Sequence, residues 1–140
     1  MTNVHDPVHV YLVSRGCAPL VVRRGLGGLL EHWASIVAAA ERGRDASLDE
    51  WLNDMDLRDI LAGALAAATP RERATAALRL AEADARFVAI TRPSTCLWGN
   101  EIARTNSWRP EWQWWYFRSP TEPGPTLREE LLVNGLLRVD

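Results

Sequence analysis

Residues 112–118 read Trp-Gln-Trp-Trp-Tyr-Phe-Arg, and five of the chain's seven tryptophans lie between Trp98 and Trp115. The surrounding segment is broken by Pro93, Gly99, Pro110, Pro120, Pro123 and Pro125. Proline lacks the backbone donor and clashes with the preceding turn, so no long helix can absorb these rings. Indoles carry a large apolar area that is costly to leave in water. The aromatic segment must therefore fold back onto an apolar surface built elsewhere in the chain, or meet a partner.

Residues 19–90 supply that surface. From Pro19 to Arg42, Val22, Leu26, Leu29, Leu30, Trp33, Ile36, Val37 and Ala40 recur at helical spacing, and Gly43 is a natural stop. Gly25, Gly27 and Gly28 weaken the first half of that helix. Ser47-Leu-Asp-Glu50 is a capping box that opens a second segment, 48–66. There Leu48, Trp51, Leu52 and Met55 form one apolar face, while Leu57, Ile60, Leu61, Ala64 and Leu65 form another. The rotation between the two faces predicts a break near Asn53–Asp56, with Asp56 as a new cap. Thr69-Pro70-Arg71-Glu72 starts a third helix, to about Ile90, with a stripe of Ala74, Ala77, Leu78, Ala81, Ala85 and Val88, widened by Leu80 and Phe87.

Two shorter patterns flank these helices. Residues 7–14 alternate as a strand would, and residues 112–118 are rich in strand-favouring aromatics that could pair with Leu97–Ala103 or with the N-terminal strand. Thr126-Leu-Arg-Glu129 caps a short final helix. The expectation is a mainly α (α+β) single domain over 1–140. Three to four amphipathic helices, in a layer at about 19–90, pack with a small C-terminal aromatic β element at about 91–137, joined by a short N-terminal strand.

The net charge of −2 offers no global field for nucleic acid or an anionic membrane. All sixteen basic residues are arginine, as a GC-rich bacterial coding sequence produces, so Schiff-base and P-loop lysine chemistry is excluded. Cys17 and Cys96 fit no zinc or redox spacing, and no apolar run approaches membrane-spanning length. Cytoplasmic residence is the expectation, with no cofactor and no metal. Nucleophile-elbow and dinucleotide-binding glycine motifs are absent.

Three constellations remain. In an extended strand, Trp112, Trp114, Tyr116 and Arg118 share one side, and Gln113, Trp115 and Phe117 the other. One side covers the helices; the second, with Arg104, Trp108 and Arg109 nearby, is a candidate interface, because Trp and Arg are hot-spot residues. The acidic stretch Asp45, Asp49, Glu50, Asp54, Asp56 and Asp59 reads either as helix caps and first-turn charges or as a face for a basic partner. Asp84 projects into an apolar stripe and needs a partner there, Arg58 or an indole N–H, as a structural buried pair.

These features point to a non-catalytic, protein-binding module of a bacterial cytoplasm, concretely an immunity or antitoxin-like protein that occupies the surface of a toxin or effector. A homodimer through the aromatic face is compatible with this. The alternative is a small enzyme or ligand-binding domain, with Asp84, Arg104, Arg109 and His32 around a pocket between the helices and the aromatic block.

Overall fold

The computed structural model describes residues 6–136. It begins with a helix, α1, at Pro7–Ser14, where alternation had predicted a strand. The Asp6 carboxylate accepts the Val8 N–H at 2.9 Å and Pro7 occupies the first helical turn, a start signal that outweighs the period-two pattern. Val8 and Leu12, four apart, are the residues α1 buries.

Helix α2 spans Pro19–Glu41 and buries Val22, Leu29, Leu30, Trp33, Ile36 and Val37. It breaks sharply at Gly25, whose φ of 61° and ψ of −151° lie in a region essentially reserved for glycine. At its end Gly43 takes φ 80°, and the N–H groups of Gly43 and Arg44 return to the Ala40 and Ala39 carbonyls.

Helix α3, Leu48–Ala67, is continuous through Asn53–Asp56; the expected break is absent. Its buried residues are Leu48, Trp51, Leu52, Met55, Arg58, Leu61 and Ala64, a single stripe once Arg58 is counted as a core residue. Contacts with α1 and α2 cover further parts of its circumference, which explains the second apolar face. Helix α4, Pro70–Ala89, opens with both arms of the Thr69–Glu72 capping box in place. It turns Ala76, Leu80, Ala83, Asp84 and Phe87 toward the core rather than the predicted alanine stripe. Leu78 is left 79% exposed, with Ala74, Ala77, Ala81, Ala85 and Val88 also outside.

After α4 come β1 (Thr91–Pro93), α5 (Asn100–Thr105), a 3-10 turn (Trp114–Phe117), β2 (Arg118–Pro120) and α6 (Pro125–Val133). The strands pair antiparallel, Arg92 opposite Ser119. The aromatic run is thus not a strand. The backbone carbonyls of Tyr116 and Phe117 accept N–H groups from Leu97 and Ser94, a loop rather than a ladder. Prolines at Pro93 and Pro120 end the short pairing on either side. The helical layer with a small C-terminal sheet and an aromatic cluster is as expected; the N-terminal strand is not present.

Two helix starts are completed by residues distant in the sequence. Asp45 accepts the Thr126 N–H at 3.0 Å and its hydroxyl at 2.7 Å, capping α6. Glu130 of α6 in turn accepts the Leu48 N–H at 2.8 Å, in the first turn of α3.

Candidate functional site

The centre of the molecule is an arginine in an aromatic cage. Arg58 is 5% exposed and donates from Nε to Asp84 Oδ1 at 3.0 Å and from Nη2 to Oδ2 at 2.8 Å. The Trp33 indole donates to the same Asp84 Oδ1 at 2.9 Å. The guanidinium lies 4.6 Å from the Trp115 ring centroid and 5.5 Å from that of Trp114. Its remaining nitrogen, Nη1, has no hydrogen-bond partner among the described residues, and the ring faces are the negative surfaces the guanidinium meets. Trp33, Trp51 and Trp114 also pack on Phe87 at 5.1, 5.7 and 6.0 Å. Asp84 and Arg58 are therefore brought together, with an indole added, in a bidentate clamp that ties α3 to α4 and both to α2.

A second node joins α3 to the C-terminal segment. Asp56 Oδ1 accepts the Tyr116 hydroxyl at 2.7 Å and the Trp98 indole N–H at 3.2 Å. Burial first, and the hydrogen bond to Asp56 next, hold the Tyr116 phenol far above its ordinary range, so it remains a donor. Trp108 stacks on the Tyr116 ring at 4.0 Å. Trp98, Trp108 and Tyr116 are thereby gathered about one carboxylate.

The segment that supplies Trp98 and Trp108 to this node also carries exposed apolar side chains. Trp112 is 72% exposed, Ile102 41% and Trp98 37%. Arg104 and Arg109 are exposed and make no ion pair among the described residues. Short local links hold the patch: Trp108 N–H to the Ala103 carbonyl at 2.9 Å, and Trp112 N–H to that of Arg109 at 3.0 Å. Trp114 and Arg118 do not join it. Trp114 faces Phe87 and Arg58, while Arg118 donates to Thr91 Oγ1 at 2.8 Å and to the Thr91 carbonyl at 3.0 Å. Ile102, exposed on α5, was not singled out, because a lone isoleucine in a short helix gives no sequence signal of exposure.

The acidic stretch does not form one open face. Asp45 caps α6, Glu50 completes the Ser47 capping box and pairs with Arg44, and Asp54 lies 3.7 Å from the same arginine. Asp56 serves Tyr116 and Trp98, and Asp59 meets Arg15 at 3.4 Å. Burial raises the affinity of Asp54 and Asp59 for a proton, opposed by Arg44 and Arg15 respectively. Only Asp49 is exposed and without a partner among the described residues.

The polar set of the pocket alternative is not assembled. Asp84 is committed to Arg58 and Trp33, and Arg104 and Arg109 are on the outer surface. His32 lines a separate groove of about 440 Å³ beside the Gly25 break, with Leu20, Leu29 and Leu57. Among the described residues no three His, Cys, Asp or Glu side chains converge as metal ligands, and no helix is long and apolar enough to cross a membrane. No protein-family model matches the chain, and comparisons with curated proteins and with solved structures return no match.

Proposed function

We propose that the chain is a non-catalytic protein-binding module of a bacterial cytoplasm, an immunity or antitoxin-like protein that neutralises a toxin or effector by covering part of its surface. The observation that carries this reading is the exposure of Trp112, Trp98 and Ile102, with Arg104 and Arg109 also exposed, in one short segment whose Trp98 and Trp108 are anchored to Asp56 and Tyr116. Large aromatics and arginines on a rigid base are the residue types that dominate binding energy at protein interfaces. Trp98 and Trp108 are held by Asp56 and Tyr116, so little side-chain entropy remains to be lost on association.

The test is affinity purification from the native host with the wild-type chain and with a Trp112→Ala/Arg109→Ala variant, followed by mass spectrometry and calorimetry on the purified pair. A single polypeptide retained by the wild type and lost, or weakened by about 2 kcal/mol, with the variant supports the reading. A partner bound equally by both removes this patch from the interface.

A further inference from the structure

Gly25 and Gly28 sit in the first half of α2, where helix propensity argues against both. A Cβ at Gly28 would lie 2.4 Å from the Arg24 Cβ, whereas side chains one turn apart in an unbroken helix keep those atoms about 5–6 Å apart. The break at Gly25 therefore sets Arg24 where a side chain of residue 28 would otherwise stand. From that place its neighbours along α2 are Glu31 and His32, one turn on, with Ser35 a turn further.

This row borders the groove of about 440 Å³. Leu20 and Val21 before the break, Leu29 after it and Leu57 of α3 supply the apolar wall. The volume falls in the range of small-ligand sites, about 300–1000 Å³. Arg24, Glu31, His32 and Ser35 are exposed and make no ion pair or side-chain hydrogen bond among the described residues. Asp54, a further carboxylate near His32, is held by Arg44. The groove thus presents one unengaged cation and one unengaged anion beside a wall of leucine and valine. A ligand of single charge would be drawn to one of these and opposed by the other. A zwitterion with an apolar side chain answers all three.

We propose that this groove binds a free α-amino acid with an apolar side chain. Its carboxylate meets the Arg24 guanidinium, its ammonium meets the Glu31 carboxylate, and its side chain lies against Leu20, Leu29 and Leu57. Gly25 supplies the turn and Gly28 the space that bring Arg24 within one helical turn of Glu31, close enough for one small zwitterion to meet both. The site shares no residue with the exposed tryptophan segment and does not depend on the protein-binding reading.

The test is a titration of the full chain with L-leucine and with two single-charge probes. One is 4-methylvalerate, which lacks the ammonium group; the other is isopentylamine, which lacks the carboxylate. The backbone amide resonances of Gly28 and Ser35 report binding. Leucine should shift both saturably, with a dissociation constant of about a millimolar, and each single-charge probe should bind about fivefold more weakly. Arg24→Gln should weaken leucine and 4-methylvalerate about fivefold and leave isopentylamine unchanged. Glu31→Gln should weaken leucine and isopentylamine and leave 4-methylvalerate unchanged. Both positions are exposed, so far-UV circular dichroism should show the fold retained. The absence of a saturable shift would overturn the proposal. So would equal binding of the three probes, the mark of a face that only takes a partner's apolar side chain, or substitutions whose effects do not divide between the two charges. None of these results bears on the purification experiment with Trp112.

Discussion

Replacing Asp84 with alanine should be among the most damaging single changes in this chain. The side chain accepts three hydrogen bonds, from Arg58 Nε, Arg58 Nη2 and the Trp33 indole, at 3.0, 2.8 and 2.9 Å. Its loss strands a guanidinium that is 5% exposed and always charged. Breaking a buried pair in this way costs about 3–5 kcal/mol. The Asp84 side chain retains 20% exposure, so water can reach part of the site and the lower end, about 3 kcal/mol, is the expected value. For a chain of 140 residues the unfolding entropy is about 0.3 kcal/mol/K, so the midpoint should fall by about 10 °C.

Arg58→Met removes the buried charge instead. With Asp84→Leu added, the double variant should recover most of the loss, because a well-packed apolar pair needs no desolvation of ions. Urea unfolding read by tryptophan fluorescence and far-UV circular dichroism measures the cycle, with Trp33, Trp114 and Trp115 ringed about Arg58 as internal reporters. Two results would refute the reasoning. One is Asp84→Ala within about 1 kcal/mol of wild type; the other is a double variant as unstable as the sum of the single losses.

Further outcomes follow from single contacts. A Cβ at Gly63 would lie 1.8 Å from the Tyr11 hydroxyl oxygen and 2.1 Å from its ring, so Gly63→Ala should cost about 2 kcal/mol despite the better helix propensity of alanine. Thermal unfolding should show Tyr11→Ala suppressing that loss in the double variant, since the obstacle to the methyl group is then gone. Asp45→Ala removes the cap of α6 and should cost about 1 kcal/mol, with faster amide exchange at Thr126 and Leu127 while the middle of α2 is unchanged. Burial raises the pKa of Asp59 in the folded state, so the folded chain binds the proton more tightly than the unfolded chain. Its ionisation therefore erodes stability as pH rises from the unfolded pKa through the folded one. Asp59→Asn should accordingly equal or exceed wild type at pH 7 and lose that advantage on acidification. Denaturant midpoints taken across the acid range decide it, and an advantage that grows toward low pH would contradict the assignment.

How much of this was readable beforehand depends on which residues carried the signal. Capping boxes at Ser47–Glu50 and Thr69–Glu72 are local, and α3 and α4 begin where those residues place them. Over eight residues the two periodicities cannot be separated: Val8 and Leu12 satisfy both an alternating strand and a helical face, and only the Asp6–Pro7 start distinguishes α1. The false break in α3 arises because Arg58, although a candidate partner for Asp84, does not count as apolar in the helical pattern, and nothing local announces that three indoles will surround its guanidinium. In α4, alanines on the outer side imitate an apolar stripe. The true inner face is marked by the bulk of Leu80 and Phe87 and by the very Asp84 that interrupts the pattern. For the candidate site, the concentration of tryptophan was evident, but the 3-10 turn that separates buried Trp115 from exposed Trp112 depends on contacts with the loop at 94–97.

The exchange of caps between Asp45 and Thr126, and between Glu130 and Leu48, has a consequence for synthesis. The first turn of α3 waits for a carboxylate from some eighty residues later, the separation being 82 positions for Leu48 and Glu130. On the ribosome α1 to α4 can collapse around their shared core, yet α3 remains unfinished at its start until the final helix emerges and docks. A chain cut before Pro125 should therefore keep the Ser47–Glu50 capping box, yet leave the Leu48 N–H without its acceptor and uncover the part of α3 on which α6 packs. Docking of α6 is thus the step that completes the first turn of α3, and amide exchange at Leu48 should report on it.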